Sequence, residues 1–475
     1  MTIDHDAFWI GGQLTKPAGS GRLSVVSPST EEAIGSIPLA EVADVDAAVE
    51  AARIAFDEGP WPHLPATERA AVLLRAADLL DERKEELAQL VTAQMGSPIT
   101  FSRMAQVSSL LLRYYAGIDV LFEERRPGAM GPIVVRREPV GVAGLIIPWN
   151  APIGLLLGKL APALLAGCTT VVKPAPQTPL DTYVLAEVFE AAGLPAGVLN
   201  IVAADRDVAE RVVTHPGVDK VSFTGSTAAG KRIASLCGEQ IKRVTLELGG
   251  KSACIVLPDA DLDAAIPMAV QGGMLNNGEA CIALTRLLAP RATYDEVVER
   301  TAAVVGQLPV GDPFDPATVI GPLVSADQRA RVEGYLQAGR DAGARVAVGG
   351  GRPPLDSGYY VQPTVFADVD NSMRIAREEI FGPVLCVLPY DTVDDAIAIA
   401  NDSPFGLCGA VWTADPEQGL EVARQVRTGT FNVNGFSYDT TAPFGGFKQS
   451  GLGREWGREG LDPYLELKSI AMPRP

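Results

Sequence analysis

The chain is poor in the residues that usually announce a function. Its six cysteines, Cys168, Cys237, Cys254, Cys281, Cys386 and Cys408, include no C-x-x-C pair. That excludes a zinc ribbon or a disulfide scaffold and fits a reducing compartment. Its three histidines, His5, His63 and His215, are too dispersed to share a metal, and none is placed as a general base. Basic residues are outnumbered, 40 Lys and Arg against 58 Asp and Glu. A net charge of −18 leaves no footprint for nucleic acid, whose phosphates need clustered cations. The start, Met1-Thr2-Ile3-Asp4-His5-Asp6, lacks the basic-then-apolar layout of a signal peptide. The longest apolar run, Ala151 to Val172, is broken by Pro152, Lys159 and Pro162, which argues against a membrane span. A cytoplasmic protein is expected, with neither nucleic acid nor membrane as partner.

What is present is globular: 47% hydrophobic and 21% charged residues over 475 positions, enough for two or three domains. Apolar periodicity predicts helices over 44–56 and 67–94, the second ended by Gly96. A β-prone run follows at Ile133 to Arg137. From Gly141 short apolar strands alternate with helices. Strands are expected at 142–147, 169–173, 198–202, 220–223 and 244–246. Helices are expected at 155–165, 180–192, 208–213 and 227–236. This alternation predicts a doubly wound parallel sheet that binds ligands at its C-terminal strand ends. Beyond Gly249-Gly250 a second α/β unit begins, with strands near 253–257, 345–348, 384–389 and 409–413 and helices near 264–270 and 294–308. Residues 463–470 alternate as a final strand.

Phe223 to Lys231 lies at a strand-to-helix junction, where backbone N–H groups favour a phosphate. It follows a Walker A pattern until Arg232, which stands where Ser or Thr would bind Mg²⁺, so a nucleotide triphosphatase is disfavoured. No G-x-G-x-x-G follows a predicted strand, and Gly451-Leu452-Gly453 reads as loop. Glu247 closes a strand beside a glycine turn, a position for a base or for a surface pair with Lys251. Asn150 closes another strand in Pro148-Trp149-Asn150, as an oxyanion donor or as a turn former. Cys281 sits in Asn276-Asn277-Gly278-Glu279-Ala280-Cys281; alone it reads as a small buried hydrophobe.

Together these segments resemble the aldehyde dehydrogenase superfamily over nearly the whole chain. The resemblance rests on Pro148-Trp149-Asn150, Lys173-Pro174, Phe223 to Lys231, Glu247 to Lys251, the Cys281 stretch, Glu378 to Val384 and Pro443 to Gly451, all in family order. It implies a variant Rossmann cofactor domain (1–122 and 141–249) and a second α/β catalytic domain (250–445). A small β element for bridging and oligomerisation (123–140 and 446–475) completes the expected plan. It implies Cys281 as nucleophile, Glu247 as base and Asn150 as oxyanion donor. Cofactor contacts are implied at Trp149, Lys173, Gly225, Ser226, Glu379 and Phe381, with no metal. The expected reaction is oxidation of an aldehyde to its acid with NAD. NADP stays open, because Pro176 stands where NAD-preferring members often carry Glu. Such proteins form homodimers or homotetramers. The competing readings are a CoA-acylating enzyme, which usually lacks the carboxylate at Glu247, and a non-catalytic crystallin-like relative. Ala280, Ile282 and Phe436 are the expected pocket residues, for an aromatic or medium-chain aliphatic aldehyde.

Overall fold

A computed structural model describes residues 3–106 and 108–473; the first and last residues of the expected domain limits fall outside them. The chain is a mixed α/β protein with two large sheets. The first has eight strands and its centre is parallel. Across it lie Gly451–Leu452, Arg243–Glu247, Lys220–Thr224, Val142–Ile146, Thr169–Lys173, Leu199–Ile201, Phe8–Ile10 and Gln13–Thr15. Val142–Ile146, Thr169–Lys173 and Lys220–Thr224 are buried at every position; the first is an unbroken apolar run, while the other two also bury threonines, Ser222 and the lysines Lys173 and Lys220. Helices such as Pro152–Ala166 and Asp181–Ala191 pack on this sheet through Leu156, Leu160 and Phe189.

The second sheet has seven strands, ordered Arg345–Val348, Thr364–Ala367, Val384–Tyr390, Arg286–Pro290, Ala253–Val256, Cys408–Trp412 and Thr430–Val433. All its pairings are parallel except that between Arg345–Val348 and Thr364–Ala367. A separate three-stranded sheet joins Glu123–Arg126, Ile133–Pro139 and Leu465–Ala471. Among the described residues, no helix is long and apolar enough to cross a membrane.

The structure adds elements the sequence reading left unassigned, among them strand Arg286–Pro290 and helix Ala326–Asp341, and three further differences have a physical reason. The helix expected over 67–94 is two, Ala66–Glu82 and Lys84–Met95, parted at Arg83 (φ −98°, ψ 10°). No Gly or Pro marks that break, and the apolar rhythm runs on across it. Gly451–Leu452, read as loop, is a short edge strand antiparallel to Arg243–Glu247. Residues 3–38, without assigned elements in the sequence, contain five short strands that alternate too briefly to show a period.

The site follows from how the two sheets meet. The first offers C-terminal strand ends, at Asn150 just past Ile146, Gly225 just past Thr224, and Glu247 itself. The second offers the turns that lead into its strands: Gly249-Gly250 before Ala253, Cys281 before Arg286, and Glu379 to Phe381 before Val384.

Candidate active site

Where these ends meet, a cleft of about 670 Å³ is lined by Trp149, Asn150, Gly225, Ser226, Glu247, Cys281, Glu379 and Phe381, with Gln328 and Arg331. Eight of the nine expected site residues thus share one cavity. Lys173 is not on its wall; it ends the neighbouring strand, paired in register with Ile146. Burial lowers its ammonium to about 8.

Cys281 is half-buried, whereas the other five cysteines are buried. Its thiol is pushed well above the ordinary range, first by burial and then by the carboxyls of Glu247 and Glu379. Glu247 is 1% exposed, and beyond the weakly donating Cys281 thiol neither of its carboxylate oxygens has a hydrogen-bond partner. Burial raises it well above the ordinary carboxyl range and Glu455 raises it further, while Lys159 and the Cys281 thiol, a weak donor, act the other way. Burial thus favours the thiol form of Cys281 and disfavours a charge on Glu247. Beneath them Lys159 Nζ donates to Thr224 Oγ1 and to Glu455 Oε1, both at 2.5 Å.

The glycines are explained by crowding. A Cβ on Gly250 would stand 2.3 Å from the Cys281 carbonyl oxygen, and one on Gly249 would stand 2.5 Å from Glu379 Oε2. Glu379 Oε1 accepts the Gly250 N–H at 3.0 Å, and burial raises its carboxyl to about 7. Asn150 is buried, and its Nδ2 donates to the Glu279 carbonyl at 3.0 Å.

On the opposite side Ser226 caps helix Thr227–Glu239, its Oγ accepting from Ala229 N–H at 3.3 Å. A Cβ on Gly225 would meet the Phe223 ring at 2.5 Å, so the backbone there stays bare. Phe381, at φ 63°, meets Trp149 edge to face at 5.2 Å.

Sequence reasoning missed Gln328 and Arg331. Both lie on helix Ala326–Asp341; Gln328 Nε2 donates to Phe381 O and Arg331 donates to Glu379 O, each at 2.6 Å. Their spacing on one helix face was the available signal. Of the expected pocket residues, Ile282 and Phe436 pack against the same buried core. Phe436 begins an aromatic chain through Tyr438 and Phe444 to Trp456, with ring centroids 5.4, 6.1 and 4.5 Å apart.

Two sheets joined at a thiol-bearing cleft, with a capped helix terminus across from it, define an enzyme of the α/β class. The chain belongs to the aldehyde dehydrogenase family, whose model matches residues 15–470. It is 50% identical to the geranial dehydrogenase of Castellaniella defragrans over 475 residues, covering 99% of each chain. A solved aldehyde dehydrogenase of Mycobacterium tuberculosis, complexed with NAD+, superposes with a TM-score of 0.98 at 50% identity, covering 100% of this chain and 99% of that one. A mutant of aldehyde dehydrogenase C of Pseudomonas syringae, in complex with NAD+ and octanal, gives a TM-score of 0.95 at 42% identity. That match covers 98% of this chain and 96% of its own.

Proposed function

We propose that the chain is a hydrolytic, NAD-dependent aldehyde dehydrogenase that works through Cys281. The carrying observation is the convergence of a half-buried thiol, an unpartnered buried carboxyl and a side-chain amide in one cleft. The division proposed for the chain is a cofactor domain (1–122 and 141–249), a catalytic domain (250–445) and a bridging element (123–140 and 446–475). The strand content of each sheet supports it, with Gly451–Leu452 crossing back to the first sheet.

The cleft suits a dinucleotide. The capped start of helix Thr227–Glu239, with the bare Gly225 before it, can take a pyrophosphate. Glu379, Phe381 and Trp149 would hold the nicotinamide end, and Lys173 the adenosine ribose. Bound there, the cofactor supplies the hydride acceptor. NAD is favoured by the NAD+-bound relative at 50% identity; Pro176 can neither bind ribose hydroxyls nor repel a 2′-phosphate.

Cys281 loses its proton to Glu247 and attacks the aldehyde carbonyl, forming a C–S bond. Asn150 Nδ2 and the Cys281 backbone N–H hold the oxyanion of the thiohemiacetal. Oxidation of that adduct leaves a thioester on Cys281. Glu247 passes the thiol proton to solvent, then takes a proton from water as the water oxygen attacks the acyl carbon, and the C–S bond breaks to release the acid. An unpaired buried carboxyl beside the thiol favours this route over acyl transfer to CoA and over a non-catalytic scaffold. The aromatic chain that starts at Phe436, whose Tyr438 phenol feels the charges of Cys281 and Glu247, favours an aromatic or medium-chain aliphatic aldehyde. The name of the geranial dehydrogenase and the octanal complex point the same way. A homodimer or homotetramer in a cytoplasmic setting is the proposed working form.

The test is product analysis with octanal, benzaldehyde and geranial. The reading expects the acid and one NADH per aldehyde, no gain from added CoA, and no turnover by Cys281→Ala. Acyl-CoA as product, or full turnover by that variant, would overturn it.

A further inference from the structure

The turn that carries Cys281 does not hold its shape by itself. Asn276 (φ 52°), Asn277 (φ 62°) and Gly278 (φ 74°) are three successive left-handed residues. A Cβ on Gly278 would stand 2.1 Å from the Gly382 carbonyl oxygen. L-residues other than Gly adopt this region reluctantly, and Asn does so most readily when its amide is bonded. Both asparagines are buried and both are anchored. Asn277 Nδ2 donates to the carbonyls of Gly96 and Pro322, each at 3.0 Å, and its Oδ1 accepts Gly321 N–H at 2.7 Å. These bonds join the turn to two loops from distant parts of the chain.

Asn276 is bonded differently. Its Oδ1 accepts the Ser97 hydroxyl at 2.7 Å, while two carbonyls on its other side, which can only accept, set which end of the amide carries the N–H groups. Its Nδ2 then donates to the Asn150 carbonyl at 2.8 Å and to the Glu279 carbonyl at 3.3 Å. The same Glu279 carbonyl accepts Asn150 Nδ2 at 3.0 Å. Asn276 therefore grips both the main chain of Asn150 and the group that orients the Asn150 side chain. An amide has two N–H groups; the one directed at Glu279 O fixes the plane in which the other lies. That plane decides whether the amide N–H faces the oxygen of the carbonyl that Cys281 attacks.

The geometry points to Asn276, oriented by Ser97, as a positioning residue for the oxyanion site: it sets the Asn150 amide against Cys281 without touching the substrate. This rests on reading Asn150 as oxyanion donor and Cys281 as nucleophile. Asn276 is a better candidate than Asn277, whose partners lie only in the supporting loops.

The experiment is a double-mutant cycle read by the pre-steady-state NADH burst with octanal. Asn276→Gly keeps a residue that accepts a left-handed φ and removes only the amide. Misplacing a reacting group by about 1 Å can cost around a hundredfold in rate. A burst rate lower by roughly ten- to a hundredfold is expected, with NAD affinity and the rate of Cys281 alkylation by iodoacetamide near wild type. In an Asn150→Ala background, Asn276→Gly should cost less than about threefold more, because its effect passes through Asn150. Ser97→Ala should lower the burst rate by a smaller factor, and it carries the test if Asn276→Gly does not fold. A wild-type burst rate in Asn276→Gly, or in Ser97→Ala when that variant carries the test, overturns the inference. So does an undiminished further loss in the Asn150→Ala background, or a fall in iodoacetamide reactivity to match the burst. If Asn150→Ala itself keeps the wild-type burst, the oxyanion reading falls and takes this inference with it.

Discussion

Lys159 and Glu455 form a buried ion pair, Nζ to Oε1 at 2.5 Å, and both act on the charge of Glu247 from below. Burial is the largest influence on the Glu247 carboxyl; on top of it Glu455 raises the group and Lys159 lowers it, so this pair adjusts where along the pH axis the base becomes available. In Glu455→Gln the raising charge is gone and the lowering one remains. Glu247 should then ionise at lower pH, and the acid limb of the steady-state rate should shift down in a pH profile. The same change strands the Lys159 ammonium in the interior, which costs about 3–5 kcal/mol. A large fall in melting temperature should accompany the shift.

Glu247→Gln keeps the shape of the site and removes the base. The expected outcome is an NADH burst followed by a steady rate lower by roughly 10²–10⁴-fold, since general bases contribute on that scale. Stopped-flow absorbance of NADH checks it. An unchanged steady rate would mean that another group activates water.

Alkylation tests the exposure and the thiol state of Cys281 together. The other five cysteines are buried, so one equivalent of iodoacetamide should inactivate the enzyme, and mass spectrometry should place the label on Cys281. Because burial and neighbouring carboxyls push this thiol up, thiolate is scarce at neutral pH. Below the raised value, inactivation should accelerate about tenfold per pH unit, following the thiolate fraction.

Gly249→Ala would place a methyl 2.5 Å from Glu379 Oε2. Glu379 is held on its other oxygen by Gly250 N–H, so it cannot yield without losing that bond. The KM for NAD should rise by roughly tenfold, a loss of about 1.4 kcal/mol in binding if KM tracks Kd. With Glu379→Ala already present, the three nearest atoms the methyl would meet are gone and the second loss should vanish.

What was readable in the sequence was what sits at the ends of apolar strands. Glu247, Asn150 and the Phe223 to Lys231 turn follow runs whose burial dictates their composition, and all of them reach the cleft. Gln328 and Arg331 were missed because helix Ala326–Asp341 is mostly polar and its contribution depends on what it packs beside. Ser97 and Asn276 were beyond reach for another reason: their bond spans 179 residues, and nothing local to either end signals it. The break at Arg83 was hidden because apolar periodicity records which face is buried, not whether the axis is continuous.

The left-handed turn at Asn276 to Gly278 also bears on how the enzyme assembles. Apart from the Glu279 carbonyl, its side-chain anchors lie between 44 and 181 residues away, on loops near residues 96, 150 and 321. Contacts so distant in sequence form late, after the chain between them has been ordered. The nucleophile should thus be among the last groups to reach its final place. Recovery of activity after dilution from denaturant should lag behind recovery of helix and sheet, and a half-assembled chain would carry this thiol without the machinery that directs it.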